Sequence, residues 1–372
     1  MLTRLRVQGF KTLVDIDVPL SPVMVLVGPN NCGKSNVLKA LRYLGIVATV
    51  GVPAANDAFG SEADVRTSGQ LAPMSIEVEG MFGRRVVKYS LQPRTADFMG
   101  TESFQVEGIL DGEWMRTPPQ GGQFRLRGDE IVSVGGTPGD VLRLAVTHPK
   151  APPELREFHA FLSAIVLADF SPATLRLPSL VHQNAELGSG GEGLAAVLDR
   201  LDGERPDVRE RINEEVSAVV AGVTKVVTPN HATQGSKVVG VAEGRNVFRG
   251  SNVSDGVLLF IALSTVTQMS GGKTLVGLEE PDRGIHPRRL RDLLDQVNRL
   301  VAQGSQFVLT THSPVLLNEF RDFPEAVLIL DRDETGTHAR QLSTLPDVEK
   351  QLRDVSLGDL WYSGVLGGVP PK

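Results

Sequence analysis

Eight consecutive residues, Gly28 to Ser35, read GPNNCGKS and match the pattern GxxxxGK[ST] in full. Glycine at 28 and 33 admits backbone torsions and a close approach that side chains block. Successive N–H groups can therefore wrap a phosphate at the positive end of a helix. Lys34 would reach the β- and γ-phosphates of a nucleotide, and the Ser35 hydroxyl would ligate magnesium. Two further groups carry chemistry. Glu279 and Glu280 end an apolar run, Thr274-Leu275-Val276-Gly277-Leu278, and His312 follows the run Gln306-Phe307-Val308-Leu309-Thr310. If both runs are strands of an open α/β sheet, all three side chains lie at its C-terminal edge, where ligands of such sheets bind. There Glu279 suits a magnesium ion held through water, and Glu280 suits a base that takes a proton from, or orients, a water attacking the γ-phosphate. An imidazole in that position can hydrogen-bond a γ-phosphate oxygen or the attacking water.

The flanking residues supply the elements these groups need. Val23-Met24-Val25-Leu26-Val27 is a short apolar run of the kind a buried parallel strand shows, and Ser35 to Leu41 opens a helix that Gly45 can close. Alternating runs at 2–7 and 13–18 predict two strands before it. Residues 47–73, rich in Gly, Ala, Asp and Ser, read as a mobile insertion. From 74 to 146, strand-like stretches at 75–78, 86–92, 104–109, 123–127 and 130–134 alternate with Gly- and Pro-rich turns, which predicts a mostly antiparallel sheet. Helical periodicity then covers 153–167, 193–201 and 206–220, without the sustained heptads of a coiled-coil arm. Strands at 225–227 and 237–241 precede an apolar helix at 255–269. A strand at 274–278, a helix at 287–300 and strands at 306–310 and 326–330 complete the pattern. Strands alternating with helices predict a parallel sheet covered on both sides.

The 372-residue length allows two or three domains, and 41% hydrophobic with 22% charged residues is the balance of a globular protein. No stretch approaches the roughly 18 apolar residues of a membrane span, and the first ten residues lack the apolar core of a signal peptide, so the expected compartment is the cytoplasm. A formal charge of -6 excludes a protein that is basic all over. It leaves room for a local basic groove; Arg84-Arg85, Arg125 to Arg127 and Arg288 to Arg291 read first as solvated faces. The single cysteine, Cys32, rules out an intramolecular disulfide and a cysteine metal cluster. It reads chiefly as a small residue fitting a tight loop. The alternative is a thiol whose pKa is lowered by Lys34 and the helix N-terminus, so that alkylation blocks nucleotide binding. At Asn252 to Val257, Ser254 is a good helix N-cap. Its serine and glycine could instead face a phosphate bound by a second copy of the chain.

In combination, GPNNCGKS, SDG, LEEP and THSP resemble the ABC-type ATPase heads of the SMC/RecF/OLD superfamily. GFKTL near the start, GEGLAAVL, and the closing SLGDLWYSGVLGG are similar to its stand-alone bacterial AAA-type predicted ATPases. The resemblance implies a P-loop NTPase fold of the α/β class: a mainly parallel sheet flanked by helices, an antiparallel β-rich N-terminal lobe and an inserted helical subdomain. On this plan residues 1–150 form the lobe with the phosphate loop, 151–245 the inserted helical region, and 246–372 the lobe with signature, acid pair and switch histidine. It implies ATP and magnesium as ligands, with Gly28, Asn30, Asn31, Cys32, Gly33, Lys34, Ser35 and Asn36 around the nucleotide, and Ser35 and Glu279 at the metal. Glu280, His312 and Lys34 are the implied catalytic set. An ATP-dependent homodimer is implied too, Ser254 and Gly256 of one protomer closing over the nucleotide of the other.

Several positions depart from the superfamily pattern. The signature is Val253-Ser254-Asp255-Gly256-Val257 where LSGGQ is usual, the first acid is Glu279 where many relatives have aspartate, and position 286 is histidine where transporter-type heads carry aspartate. A glutamine coupling magnesium to the inserted lobe is expected, with Gln183 the candidate. The chain shows neither the nuclease domain of full OLD proteins nor SMC arms. The expected function is a magnesium-dependent ATPase that dimerises on ATP, coupled to DNA-related or defence processes. The alternative is a slow-hydrolysing switch that signals to a partner protein or nucleic acid. A transporter motor fits poorly, and no membrane partner is expected.

Overall fold

The computed structural model describes the whole chain except residues 69–71, 96–99, 116–120, 127–129, 135–136, 284, 286 and 368–372. The chain forms two compact units, Met1–Ile165 with Phe320–Lys372, and Val166–Glu319.

In the first unit, strands Leu2–Phe10 and Leu13–Pro19 form a hairpin, and Leu2–Phe10 also pairs antiparallel with Ser75–Phe82. Among the described residues this sheet has eight strands, continuing through Arg85–Gln92, Thr101–Val106, Leu110–Met115, Gly121–Leu126 and Glu130–Val134. Each neighbouring pair of strands in it is antiparallel. Period-2 burial explains the expectation from sequence: Ile76, Val78, Gly80 and Phe82 point inward along one strand and Val87, Tyr89 and Leu91 along the next. Leu110–Met115 was not legible because its Gly112 and acids break that alternation.

A second set of strands in this unit carries the phosphate loop. Val23–Val27 lies parallel to Val327–Asp333, which pairs antiparallel with Gly336–Gln341. The helix after the loop, Lys34–Val50, does not stop at Gly45. An ideal Cβ on Gly45 would lie 3.0 Å from both Ile165 Cβ and the Leu162 carbonyl oxygen, so the glycine serves close packing against the segment after helix Pro153–Ser163. The supposed mobile insertion at 47–73 is corrected as well. It holds helices Val52–Ala58 and Glu62–Val65, seals Ala55 and Val65 in the core, and is tied down by Tyr43 donating to Asn56 at 2.9 Å.

In the second unit, Val166–Ala168, Leu275–Glu279 and Gln306–Thr310 make a parallel array with Leu275–Glu279 in the middle. Helices Leu194–Glu204, Pro206–Val219, Asp255–Met269 and Leu290–Ala302 accompany it. Asp255–Met269 is buried continuously from Leu258 to Gln268, which is why its sequence is apolar on every face. Two small antiparallel sheets complete the unit: Ser179–Leu180 with Ser236–Lys237, and Lys225–Val227, Gly240–Glu243 and Asn246–Arg249.

Candidate nucleotide site

The loop residues Gly28 to Ser35 fold as their types require. An ideal Cβ on Gly28 would sit 2.2 Å from the Leu330 carbonyl oxygen, so only glycine lets the loop leave its strand beside the neighbouring strand. Asn31 and Gly33 both adopt left-handed backbone, with φ of 63° and 107°. Such changes of handedness are the geometry that turns successive N–H groups to one side to receive an anion. Lys34 is buried, and its ammonium donates to the Gly28 and Pro29 carbonyl oxygens, each at 2.8 Å, so its charge is folded back over the loop. Asn30 and Asn31 are exposed at the loop's outer edge, and Ser35 is half-buried in the first turn of the helix.

Cys32 is buried in the same loop, and its burial raises the thiol pKa against the opposing pull of Lys34. The alternative of a reactive, acidified thiol is thereby corrected: loss of hydration outweighs the nearby ammonium. Asn36 donates to the Thr12 hydroxyl at 2.8 Å, and Thr337 donates to the same oxygen at 3.0 Å. Thr12 and Thr337 thus anchor the first turn of the helix, a role that sequence reading missed although Thr12 lies in the quoted GFKTL.

The second unit brings two of the chemical groups together. Leu275–Glu279 and Gln306–Thr310 run parallel with Glu279 opposite Thr310, so Glu280 and His312 both emerge just past adjacent strand ends. Glu280 Oε1 stands 3.9 Å from His312 Nε2. Glu280 adopts φ 42°, rare for a residue with a side chain, and its N–H donates to the Thr310 carbonyl at 3.0 Å and approaches the Thr310 hydroxyl at 3.2 Å. The histidine's turn is organised by Thr311, whose hydroxyl donates to Asp282 at 2.7 Å and accepts from Ser313 N–H at 2.9 Å. Ser313 in turn caps the short helix Pro314–Asn318. Asp282, the residue after LEEP, was missed in the sequence reading, as was its link to Thr311.

Ser254 occupies the N-cap position of Asp255–Met269 without making a capping side-chain bond, and it is exposed. The segment is held instead by Arg176, which donates to the Gly250 oxygen at 3.0 Å, the Pro172 oxygen at 3.1 Å, the Val253 oxygen at 2.8 Å and the Asp255 carboxylate at 2.5 Å. Nothing lies within 4 Å of an ideal Cβ on Gly256. Gln183 is exposed in the turn after Ser179–Leu180, and His286 lies outside the described residues.

Of the expected magnesium ligands, Ser35 offers a hydroxyl in the first unit and Glu279 a carboxylate in the second. Among the described residues no cluster of three or more His, Cys, Asp or Glu forms a protein cage. Sparse oxygen donors completed by phosphate and water are the habit of magnesium rather than of zinc or calcium.

Residues 140–318 match the family model described as "AAA domain, putative AbiEii toxin, Type IV TA system", and residues 1–48 match that of an "AAA ATPase domain". An OLD nuclease of Thermus scotoductus is 51% identical over 41 residues, which is 11% of this chain and 8% of that protein. A chromosome partition protein Smc of Thauera aminoaromatica is 47% identical over 45 residues, 12% of this chain and 4% of that one. The matches thus span a small part of these relatives' length. The crystal structure of an Smc head bound to the C-winged helix domain of ScpA overlays with a TM-score of 0.54 at 15% identity, covering 95% of this chain and 99% of that one, and so shares the fold. With the phosphate loop, the antiparallel sheet and the parallel strands in place, the chain is similar to AAA-type ATPase domains over residues 1–48 and 140–318 and shares the fold of the Smc head.

Proposed function

We propose that this chain binds ATP with magnesium, dimerises on it and separates after hydrolysis, in a DNA-related or defence process. The observation that carries the reading is the approach of Glu280 to His312 at 3.9 Å, at the ends of adjacent parallel strands. Lys34 would release the loop carbonyls to hold the β- and γ-phosphates, and the loop N–H groups would take the remaining phosphate oxygens. Magnesium, held through Ser35 and Glu279, would offset charge on the phosphates. Glu280 would accept the proton of the attacking water, and His312 would fix that water or a γ-phosphate oxygen. Ser254 and Gly256 would serve the nucleotide of the partner protomer. The exposure of Ser254 and the space around Gly256 support that role.

The test is Glu280→Gln, which keeps shape but cannot take the proton. It should abolish turnover while leaving an ATP-bound dimer visible by size-exclusion chromatography with light scattering. Normal hydrolysis by this variant would remove Glu280 from the mechanism.

The second reading, a slow-hydrolysing switch signalling to a partner protein or nucleic acid, is favoured by one contact: Glu280 is already paired with Arg283. Feeble basal turnover that DNA or a partner protein stimulates strongly would decide for it.

A further inference from the structure

Arg283 lies three residues beyond Glu280, in the turn that carries the chain away from the sheet edge. Its N–H donates to the Glu280 carbonyl oxygen at 2.9 Å, closing the turn. Its guanidinium Nε lies 2.5 Å from Glu280 Oε2, the carboxylate oxygen other than the one facing His312. The two partners differ in freedom. Glu280 is 22% exposed and its backbone is pinned by Thr310, whereas the Arg283 side chain is 67% exposed. A fixed acid is thus covered by a cation that can leave it without disturbing the fold.

We infer that Arg283 is a latch on Glu280. In the lone protomer it occupies one of the two oxygens hydrolysis would use, and turnover waits until that contact is released. The inference rests on the assignment of Glu280 as the base. A carboxylate oxygen that accepts a guanidinium N–H has a lone pair committed to that donor, and an incoming water must compete with the arginine for it. Arg283 touches neither nucleotide nor water in this scheme and acts through Glu280, as a positioning residue. Solvent exposure keeps the latch weak and sensitive to salt, which suits a contact that must be exchanged.

The experiment is steady-state ATP turnover of the full chain at dilution, at low and high salt, for wild type, Arg283→Gln, Arg283→Lys and Glu280→Gln. At low salt Arg283→Gln should raise kcat by about two- to fivefold, the range an exposed ion pair commands, with KM unchanged. Arg283→Lys should stay near wild type because it keeps the charge. Added salt should raise wild-type turnover toward that of Arg283→Gln and leave Arg283→Gln flat. If Arg283→Gln is no faster than wild type while Glu280→Gln is inactive, the latch is wrong and the base assignment stands. If Glu280→Gln turns over ATP like wild type, base and latch fall together.

Discussion

A glycine with open space around it separates function from folding better than a buried residue does, and Gly256 is such a position. Its neighbour Ser254 makes no capping bond, and a Cβ on Gly256 meets nothing within 4 Å. Gly256→Ala should therefore leave the fold intact and, by removing backbone entropy from the unfolded chain, change stability by no more than about 1 kcal/mol in the favourable direction. If the glycine serves the partner's nucleotide, turnover should nonetheless fall by about tenfold, equivalent to roughly 1.4 kcal/mol at the transition state. Thermal melting and turnover on the same sample check both halves. Gly28 is the opposite case, since its Cβ would collide with the Leu330 backbone. Sequence alone marks both positions as glycine and cannot distinguish them. The difference lies in which distant atoms surround each.

Two contacts between elements carry predictions of their own. Arg176, at the end of the short helix Pro172–Leu175, holds the signature segment by bonds to Gly250, Val253 and Asp255. Arg176→Ala should lower unfolding free energy by about 1–3 kcal/mol, as for lost charge-assisted hydrogen bonds. If the phosphate loop sets nucleotide affinity as proposed, the substitution should slow turnover and leave that affinity unchanged; fluorescent-nucleotide binding beside a turnover assay distinguishes the two. Glu102, buried on strand Thr101–Val106, accepts N–H bonds from Gly139 at 2.6 Å, Val141 at 2.9 Å and Leu142 at 2.9 Å, and the Tyr89 hydroxyl at 3.0 Å. It anchors the start of helix Val141–Ala145 to the antiparallel sheet. Glu102→Gln turns one acceptor oxygen into a donor that, in either amide orientation, faces at least one of these N–H groups, and should cost about 2–4 kcal/mol in denaturant unfolding. Strand and helix positions were largely legible from periodicity. The reach of Arg176 and Glu102 was not, because nothing in a local window shows which distant backbone groups a side chain will satisfy.

For the whole molecule, the proposed dimer predicts that turnover per chain rises with protein concentration and that chelating magnesium abolishes it. Sedimentation and activity measured over the same dilution series check this, and a concentration-independent rate would sink the dimer. No helix among the described residues is long and apolar enough to cross a membrane. By itself the sequence determined the glycine loop, the alternation of buried strands with helices, and the acids and histidine at strand ends. These follow from torsional limits and burial patterns that act over a few residues. Tertiary structure alone decided that Glu280 meets His312 and Arg283, that Arg176 rather than Ser254 holds the signature segment, and that Gly45 packs instead of ending a helix. Each of these depends on strand register and helix packing, which bring together groups whose spacing along the chain carries no trace of their meeting.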